Sequence, residues 1–329
     1  MSIKSHIIQL LRTEKTVPLT ALDQLLEQYT SVSNAQSLLK ELAESGYEIT
    51  YDSNNCVSLV SLPDKLYPEL VIHDLPVSIV GKKLVHYDLI GSTNDSALEI
   101  ARRGYQQGTV VVAEQQQQGR GRHARKWESR AGKSILCSVI FKPDGLHPNE
   151  TFPFTMLAAV SVVQAINEVL FFSCLIKWPN DVYLNGKKIC GILTEFGTKN
   201  KNSEYVITGI GINVNQLPNE FSPEISNASS LYSISGIPVD RLALFRKLLI
   251  KLDENYCLYL RGEINLIFSL WMEYCNSLGK KIRFVSGNRS GIGTIMDISP
   301  NGALRINCEH GGNIEVVSGD IEFVEGWRP

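Results

Sequence analysis

Apolar residues fall at helical spacing between residues 3 and 42 and alternate with polar ones beyond residue 280, so two different periods open and close the chain. Ile3, Ile7, Ile8, Leu10 and Leu11 predict a first helix, and Leu22, Leu25 and Leu26 a second over 20–29 that opens at Thr20. Leu38, Leu39 and Leu42 predict a third over 33–45, started by a Ser33/Gln36 capping box and closed by Gly46. Tyr47–Ile49 and Val57–Val60 flank the turn Asp52-Ser53-Asn54-Asn55 and predict a hairpin. Three helices followed by a hairpin predict a winged helix-turn-helix over residues 1–61.

Residues 62–80 contain Pro63, Pro68 and Pro76 and predict a linker. From 81 to 273 the pattern mixes strands and helices. Strands are expected at 83–87, 109–113, 135–141 and 205–214, and helices from about 92 to 103, 155 to 171, 241 to 260 and 263 to 275. Asn185-Gly186 is a type I′ hairpin signal joining Val182–Leu184 to Lys187–Ile189, which places Asp181 and Lys188 close together on rigid strands. From 274 to 329, short strands separated by Pro300-Asn301-Gly302 and Gly311-Gly312 predict a small β-barrel of the SH3 type. The fold class is multidomain α+β: a winged helix-turn-helix, a central mixed β-sheet with helices, and an SH3-like barrel.

Charge changes this picture in one place. The 329 residues carry 32 basic and 34 acidic side chains, which excludes a protein-wide field for polyanions. Residues 1–60 hold four cations, Lys4, Arg12, Lys15 and Lys40, against seven carboxylates. Phosphate contacts supply most DNA affinity. Only Lys40 stands on the expected recognition helix, so the fold favours a DNA reader and the charge opposes a tight one. The seven cysteines are dispersed with no Cys-x-x-Cys, and most lie in apolar runs, as expected for buried thiols in a reducing compartment. No signal-peptide layout opens the chain, and the apolar run Met156–Ile166 is short for a bilayer span, so a cytoplasmic protein is expected.

Against that near-neutral background, Gly119-Arg120-Gly121-Arg122-His123-Ala124-Arg125-Lys126-Trp127 concentrates four cations, two glycines and an indole in nine residues. Glycine allows mobility and close approach, arginine gives paired donors for phosphate or carboxylate, and the indole gives a face for a base. The loop suits a nucleotide, and equally a nucleic-acid patch. Ser92, Thr93 and Asn94 suit helix caps, or neutral partners for a polar uncharged ligand group. Gly209-Ile210-Gly211-Ile212-Asn213 ends a strand with glycines that admit a ligand to the backbone. Other chemistries fail on spacing. Ala131-Gly132-Lys133-Ser134 has Trp127 where a P-loop needs its first glycine, no Gly-x-Ser-x-Gly occurs, and the six histidines have no metal spacing. The chemistry is expected between bound substrates, with no metal site on the chain.

Five motifs in this order carry a resemblance: Ser92-Thr93-Asn94, Gly-Arg-Gly-Arg-x-x-Arg-Lys-Trp at 119–127, Lys-Trp-Pro-Asn-Asp at 177–181, Lys188 with Gly191-Ile192-Leu193, and Gly209-Ile-Gly-Ile-Asn213. The set resembles the biotin protein ligases, and with both flanking modules the bifunctional bacterial ligase and biotin operon repressor. The resemblance implies a class II synthetase-like central domain that makes biotinyl-5′-AMP from biotin and ATP with Mg²⁺. It implies transfer of biotin to one lysine of a biotin carboxyl carrier protein, that of acetyl-CoA carboxylase. It puts Ser92, Thr93, Asn94 and Gln116 on biotin, Arg120, Gly121 and Arg122 on its carboxylate and the adenylate phosphate, and Lys188 on both. Trp127 and Asn213 fall to the adenine, and Asp181 orients or deprotonates the incoming lysine. A homodimer of the adenylate-bound protein and operator binding through the helix bearing Lys40 are also implied. Gly132-Lys133-Ser134 and His123 depart from the family pattern. A lipoate ligase of the same superfamily and a DNA-binding biotin sensor without ligase activity are the competing readings.

Overall fold

The structure is a computed structural model that describes residues 3–29, 34–143, 150–200, 203–223, 225 and 227–324. It divides into two compact units, Met1–Asp74 and Leu75–Pro329. In the first, helices α1 (Ile3–Thr13), α2 (Leu19–Glu27) and α3 (Ala35–Glu44) bury Ile7, Ile8, Leu22, Leu26, Leu39 and Leu42. Strands β1 (Val17–Pro18), β2 (Glu48–Tyr51) and β3 (Cys56–Ser61) form an antiparallel sheet in the order β1-β3-β2.

Three local expectations change. Ser33 lies outside the described residues, and α3 is capped by Asn34, whose Oδ1 accepts from the Ser37 amide at 2.8 Å. Helix α2 starts one residue before Thr20, after Pro18 and with no side-chain cap. The stretch 62–80 is no bare linker: Pro68–Val71 forms helix α4, and Leu66, Leu70 and Val71 are buried. Its far end is fixed too, because Asp253 accepts from the amides of Ser78, Ile79 and Val80 at 2.6–2.7 Å.

The second unit is built on a seven-stranded mixed sheet. Its strands are β4 (Leu84–Ile90), β5 (Val110–Gln116), β6 (Ser134–Phe141), β7 (Leu175–Lys177), β8 (Asp181–Leu184), β9 (Lys187–Asn200) and β10 (Ser203–Asn213). They lie in the order β4-β5-β6-β10-β9-β8-β7, with β4 and β5 parallel and the other pairs antiparallel. Alternation assigns the two faces. Helix α5 (Thr93–Arg102) covers the face of Ile207 through Ala97, Ile100 and Ala101. Helix α6 (Phe152–Leu170) covers the face of Thr208, where Thr155 donates to Thr194. Helix α6 is long and apolar enough to cross a membrane by length and composition alone. Here it is a core helix, buried from Phe154 to Val163 against the sheet, α8 (Arg241–Leu260) and α9 (Ile264–Cys275). The short helix α7 (Leu231–Ser235) precedes α8.

Strands β11 (Lys281–Ser286), β12 (Arg289–Ile298), β13 (Leu304–Cys308), β14 (Gly312–Val316) and β15 (Asp320–Phe323) form a five-stranded antiparallel sheet, ordered β14-β13-β12-β11-β15. It meets the central sheet where the Trp178 indole donates to the Gly302 carbonyl at 2.8 Å.

One buried ion pair fixes the root of the basic loop. Arg241 is fully buried; it donates to Glu114 Oε2 at 2.8 Å, before the loop, and to the Ser134 carbonyl at 2.9 Å, after it. His86 lies 3.2 Å from the other Glu114 oxygen. A buried charge left without its partner is expensive, so Glu114→Ala is expected to cost about 3–5 kcal/mol, read as a lower urea midpoint. An unchanged midpoint would show the pair to be dispensable.

Candidate functional site

Alternation along β10 lays out the site. Ile207, Gly209, Gly211 and Asn213 share the face covered by α5, so one strand carries core at one end and bare backbone and an amide further on. Strand β9 matches it, with Glu195, Leu193 and Gly191 opposite Ile207, Gly209 and Gly211. The bare backbone is filled from above. A Cβ on Gly211 would stand 2.6 Å from the Trp127 ring and one on Gly191 2.8 Å from it, so the indole rests directly on the two strands. A Cβ on Gly209 would overlap the Asn94 side chain.

A cavity of about 480 Å³ opens over this floor, within the range that holds a small ligand. Ser92, Thr93, Asn94 and Gln116 line one part of it, together with Arg120, Gly121, Arg122, Trp127, Asp181, Lys188 and Asn213. Every residue assigned a binding or catalytic role in the central part of the sequence therefore borders one space. Lys40 does not: it belongs to the first unit, where its side chain is 78% exposed and its ammonium lies 4.0 Å from Glu44.

The neutral part is a closed hydrogen-bond set. Gln116 Oε1 accepts from the Thr93 amide at 2.7 Å and from its hydroxyl at 3.0 Å. Ser138, below them on β6, is within 2.8 Å of Thr93 Oγ1 and 2.6 Å of Asn94 Oδ1. Asn94 Nδ2 donates to Glu195 at 2.7 Å and to the Leu193 carbonyl at 3.2 Å. Each amide is thereby held in one orientation, and none of the four wall residues is charged. Ser92 makes no side-chain cap on α5, and Thr93 and Asn94 spend their side chains on the cavity wall rather than on the helix end.

The charged part is set by the hairpin. Asn185 and Gly186 both have positive φ, 49° and 74°, the type I′ turn expected. It brings Lys188 Nζ to 2.7 Å from Asp181 Oδ1. The same ammonium stands 5.8 Å from the centre of the Trp127 ring. Trp127 Nε1 and Asn213 Oδ1 are buried with no hydrogen-bond partner among the described groups, and Asp181 Oδ1, although 2.7 Å from the Lys188 ammonium, lacks one of good geometry as well.

The basic loop is an arch, not a free strand. The Trp127 amide donates to the Gly119 carbonyl at 2.9 Å and the Gly121 amide to Arg125 at 2.7 Å, which bridges Arg120 to Lys126. His123 and Ala124 turn its tip with positive φ, 55° and 57°. Arg122 donates to Asn180 at 3.2 Å and to the Gly319 carbonyl at 3.3 Å, and Arg125 pairs with Asp320. Burial lowers the Arg122 pKa, opposed by Asp320 and Asp181; burial raises Asp320, but Arg125 more than reverses this and holds it below the usual aspartate value. Arg120 lines the cavity but is already engaged: its guanidinium lies between Asp95, at 2.5 Å, and Glu195, at 3.0 Å.

Four side chains of this site escaped the sequence reading. Ser138 is a hydroxyl inside an apolar strand, and Glu195 a charge on the alternation of β9; both were visible as breaks in pattern. Asn180 lay within a quoted motif, but its bond to the Ile192 carbonyl, 2.6 Å, depends on strand pairing. Asp320 arrives from a sheet that begins 100 residues after Asp181, and nothing local announces it.

Residues 87–213 match the Biotin/lipoate A/B protein ligase family. The chain is 35% identical over 286 residues to the bifunctional ligase/repressor BirA of Bacillus subtilis, covering 87% of each. It is 30% identical to a biotin–[acetyl-CoA-carboxylase] ligase of Mycobacterium tuberculosis, over 78% of this chain and 97% of the other. A solved biotin protein ligase of Aquifex aeolicus, in complex with biotin and ATP, superposes with a TM-score of 0.61 at 30% identity, covering 73% of this chain and 98% of the other.

The seat of Trp127 is directly testable. Gly211→Ala must unseat the indole or overpack it at a cost of about 1–3 kcal/mol. Acrylamide quenching of the emission that a Trp127→Phe variant lacks is expected to rise. Quenching equal to that of the parent would mean that the ring does not rest on Gly211.

Proposed function

The chain belongs to the biotin protein ligase family, and we propose that the cavity over β9 and β10 is where it joins biotin to ATP and then to a carrier lysine. The protein is a ligase that forms biotinyl-5′-AMP and then an amide bond to a lysine of a biotin carboxyl carrier protein. The observation that carries the assignment to this cavity is its two-part wall: four neutral side chains at one part, and Lys188, Arg122 and an indole at the other.

In the proposed scheme Ser92, Thr93, Asn94 and Gln116 hold the ureido ring, which is polar and uncharged, and the fixed orientation of Thr93, Asn94 and Gln116 means little is lost on binding. The biotin carboxylate then attacks the α-phosphorus of ATP, the bond to pyrophosphate breaks, and pyrophosphate leaves. Two anions must approach for this. At about 4 Å and an effective dielectric near 20, a unit-charge pair repels by about 4 kcal/mol, which a well-placed cation offsets. Lys188 is that cation, with Arg122 and Arg120 as further donors and Gly121 letting the arch backbone close on the phosphate. Trp127 covers the adenine, and Asn213 offers its unsatisfied Oδ1 to the amino group.

Lys188 turned to these anions leaves Asp181 free. The carrier amine then attacks the acyl carbon, its proton passes to Asp181, the acyl–phosphate bond breaks and AMP leaves. Mg²⁺ enters this scheme on the phosphates of ATP, where it screens their charge. Among the described residues no three His, Cys, Asp or Glu side chains are grouped to hold a metal, and Asp181 and Asp320 already face Lys188 and Arg125.

The arrangement of three helices and a hairpin in residues 3–61 supports a winged helix-turn-helix, and the five-stranded C-terminal sheet supports an SH3-like barrel. The relative from Bacillus subtilis is named a ligase and repressor. A repressor role acting as an adenylate-bound homodimer follows as the second half of the proposal. Lys40, weakened by Glu44, leaves α3 a poor phosphate contact. Binding to the protein's own biotin-operon promoter is expected to be weak and to fall with salt by a slope of only about one or two phosphates. A gel shift across salt concentrations reads it, and a steep slope would contradict the assignment of few cations.

Incubation with ATP, biotin and a carrier domain is expected to add biotin's mass to the carrier, and lipoate to add none. Gain with lipoate alone would select the other branch of the family. Lys188→Ala is expected to slow adenylate synthesis by up to about a thousandfold; adenylate made at the parent rate would refute the charge argument. Arg122→Gly removes the ties to Asn180 and Gly319 and is expected to release adenylate into solution; retention equal to that of the parent would show that Arg122 is no clamp.

A further inference from the structure

Arg120, Asn94 and the carboxylate between them form a linkage that the scheme above does not use. Glu195 Oε2 accepts from Asn94 Nδ2 at 2.7 Å and from Arg120 at 3.0 Å, and its Oε1 accepts from Arg120 at 3.0 Å. The contact to Arg120 is thus a paired one, the strongest geometry for that group. Asp95, next along the chain from Asn94, takes the same guanidinium at 2.5 Å. The root of Glu195 is rigid: it lies within the β9–β10 ladder, opposite Ile207, and Leu193 two residues earlier also accepts from Asn94.

On the other side, Arg120 is no loose end of the loop. Its backbone is bridged to Lys126, and that bridge is flanked by the bond from the Trp127 amide to Gly119. Fixing the Arg120 guanidinium therefore fixes the base of the arch and, through Lys126, the backbone of Trp127. A continuous path of hydrogen bonds runs from the neutral end of the cavity to the indole at its charged end: Asn94, Glu195, Arg120, the Arg120–Lys126 bridge, Trp127.

We propose that Glu195 is a positioning residue that ties the side chain of Asn94 to the arch, so that the ring-binding end and the nucleotide end of the cavity order together. In its functional part the proposal rests on Asn94 holding the biotin ring. Glu195 need not touch substrate to act; it sets the amide of one substrate partner and the guanidinium of another at once. It also orients Asn94, whose Nδ2 must face the carboxylate and whose Oδ1 must then face Ser138. A carboxylate does this and a carboxamide does it in part, because Gln keeps an acceptor for Asn94 and loses the charge that holds Arg120.

Glu195→Gln separates the two contacts. Backbone hydrogen exchange of the full-length protein alone reads the arch without any assumption about substrate. The Trp127 amide is expected to exchange about fivefold faster in Glu195→Gln than in the parent, the scale of one half-exposed ion pair. Arg120→Ala, which also removes the contact to Asp95, is expected to give at least that acceleration, and the double variant no more than Arg120→Ala alone. With biotin and ATP, Glu195→Gln is expected to shorten adenylate retention by a similar factor and to leave the biotin Kd unchanged. Arg120→Ala, which leaves Glu195 and Asn94 in place, supplies the comparison if the Gln variant loses its cooperative thermal transition. Unaltered Trp127 exchange, or additive effects of Glu195→Gln and Arg120→Ala, would overturn the linkage. A biotin Kd raised in parallel with the loss of retention would overturn it as well, since Glu195 would then serve the ring alone. Faster exchange in a protein whose parent makes no adenylate would uphold the linkage and refute the assignment of the site.

Discussion

The ion pair between Lys188 and Asp181 is the contact on which the site turns. At 2.7 Å on facing strands it places one positive and one negative charge at the same spot of a cavity whose lining also holds Arg120, Arg122, Arg125, Lys126, Glu128 and Asp320. A two-residue turn enforces it, since Asn185 and Gly186 supply the two positive φ values that a longer or bulkier connection would not. The same ammonium stands 5.8 Å from the centre of the Trp127 ring. In the proposed scheme this one pair divides its labour. The lysine meets anions during adenylate synthesis, and the aspartate, released, takes a proton during transfer.

Around that pair the molecule builds stiffness in three directions. Below, β9 and β10 present bare backbone at Gly191 and Gly211, which only a flat ring can rest on so closely. Behind, Arg241 bridges the two roots of the basic loop through Glu114 and Ser134, a buried charge pair that is costly to break. Across the top, Arg122 and Arg125 reach Gly319 and Asp320 of the C-terminal sheet. These arginine ties join groups 107 to 197 positions apart in sequence, and they turn a glycine-bearing segment into an arch. The arch remains tied by exposed ion pairs, which are weak singly, so its opening stays within reach of thermal energy.

The sequence already showed much of this, for reasons that can be located. Helical and alternating periods identified the elements because each must bury one face. Asn185-Gly186 announced its turn because few residues tolerate that backbone, and the turn put Asp181 and Lys188 on adjacent strands; the shift in register between Val182 and Tyr183, which sets their final placement, had no local signal. What stayed hidden is what pairing across the sheet and docking of the C-terminal sheet create. Glu195 meets Asn94 only once β9 is in register beside β10, and Asp320 meets Arg125 only once the five-stranded sheet is docked. The arginines of the loop looked free to face a ligand, yet Arg120 lies between two carboxylates. The stretch 62–80 read as a linker because of its prolines, although Pro68 opens a helix, a position where proline costs nothing.

The division of labour within the ion pair is tested most directly by separating the two half-reactions in Asp181→Asn. The carboxamide keeps the shape of the side chain and an acceptor for Lys188 but is no base. Adenylate formation from biotin and ATP, measured without carrier, is expected to stay close to the parent rate, while transfer from preformed adenylate to the carrier lysine is expected to fall by about a hundredfold or more, the usual share of a general base. Adenylate formation and transfer falling by the same factor, or transfer proceeding at the parent rate, would contradict it.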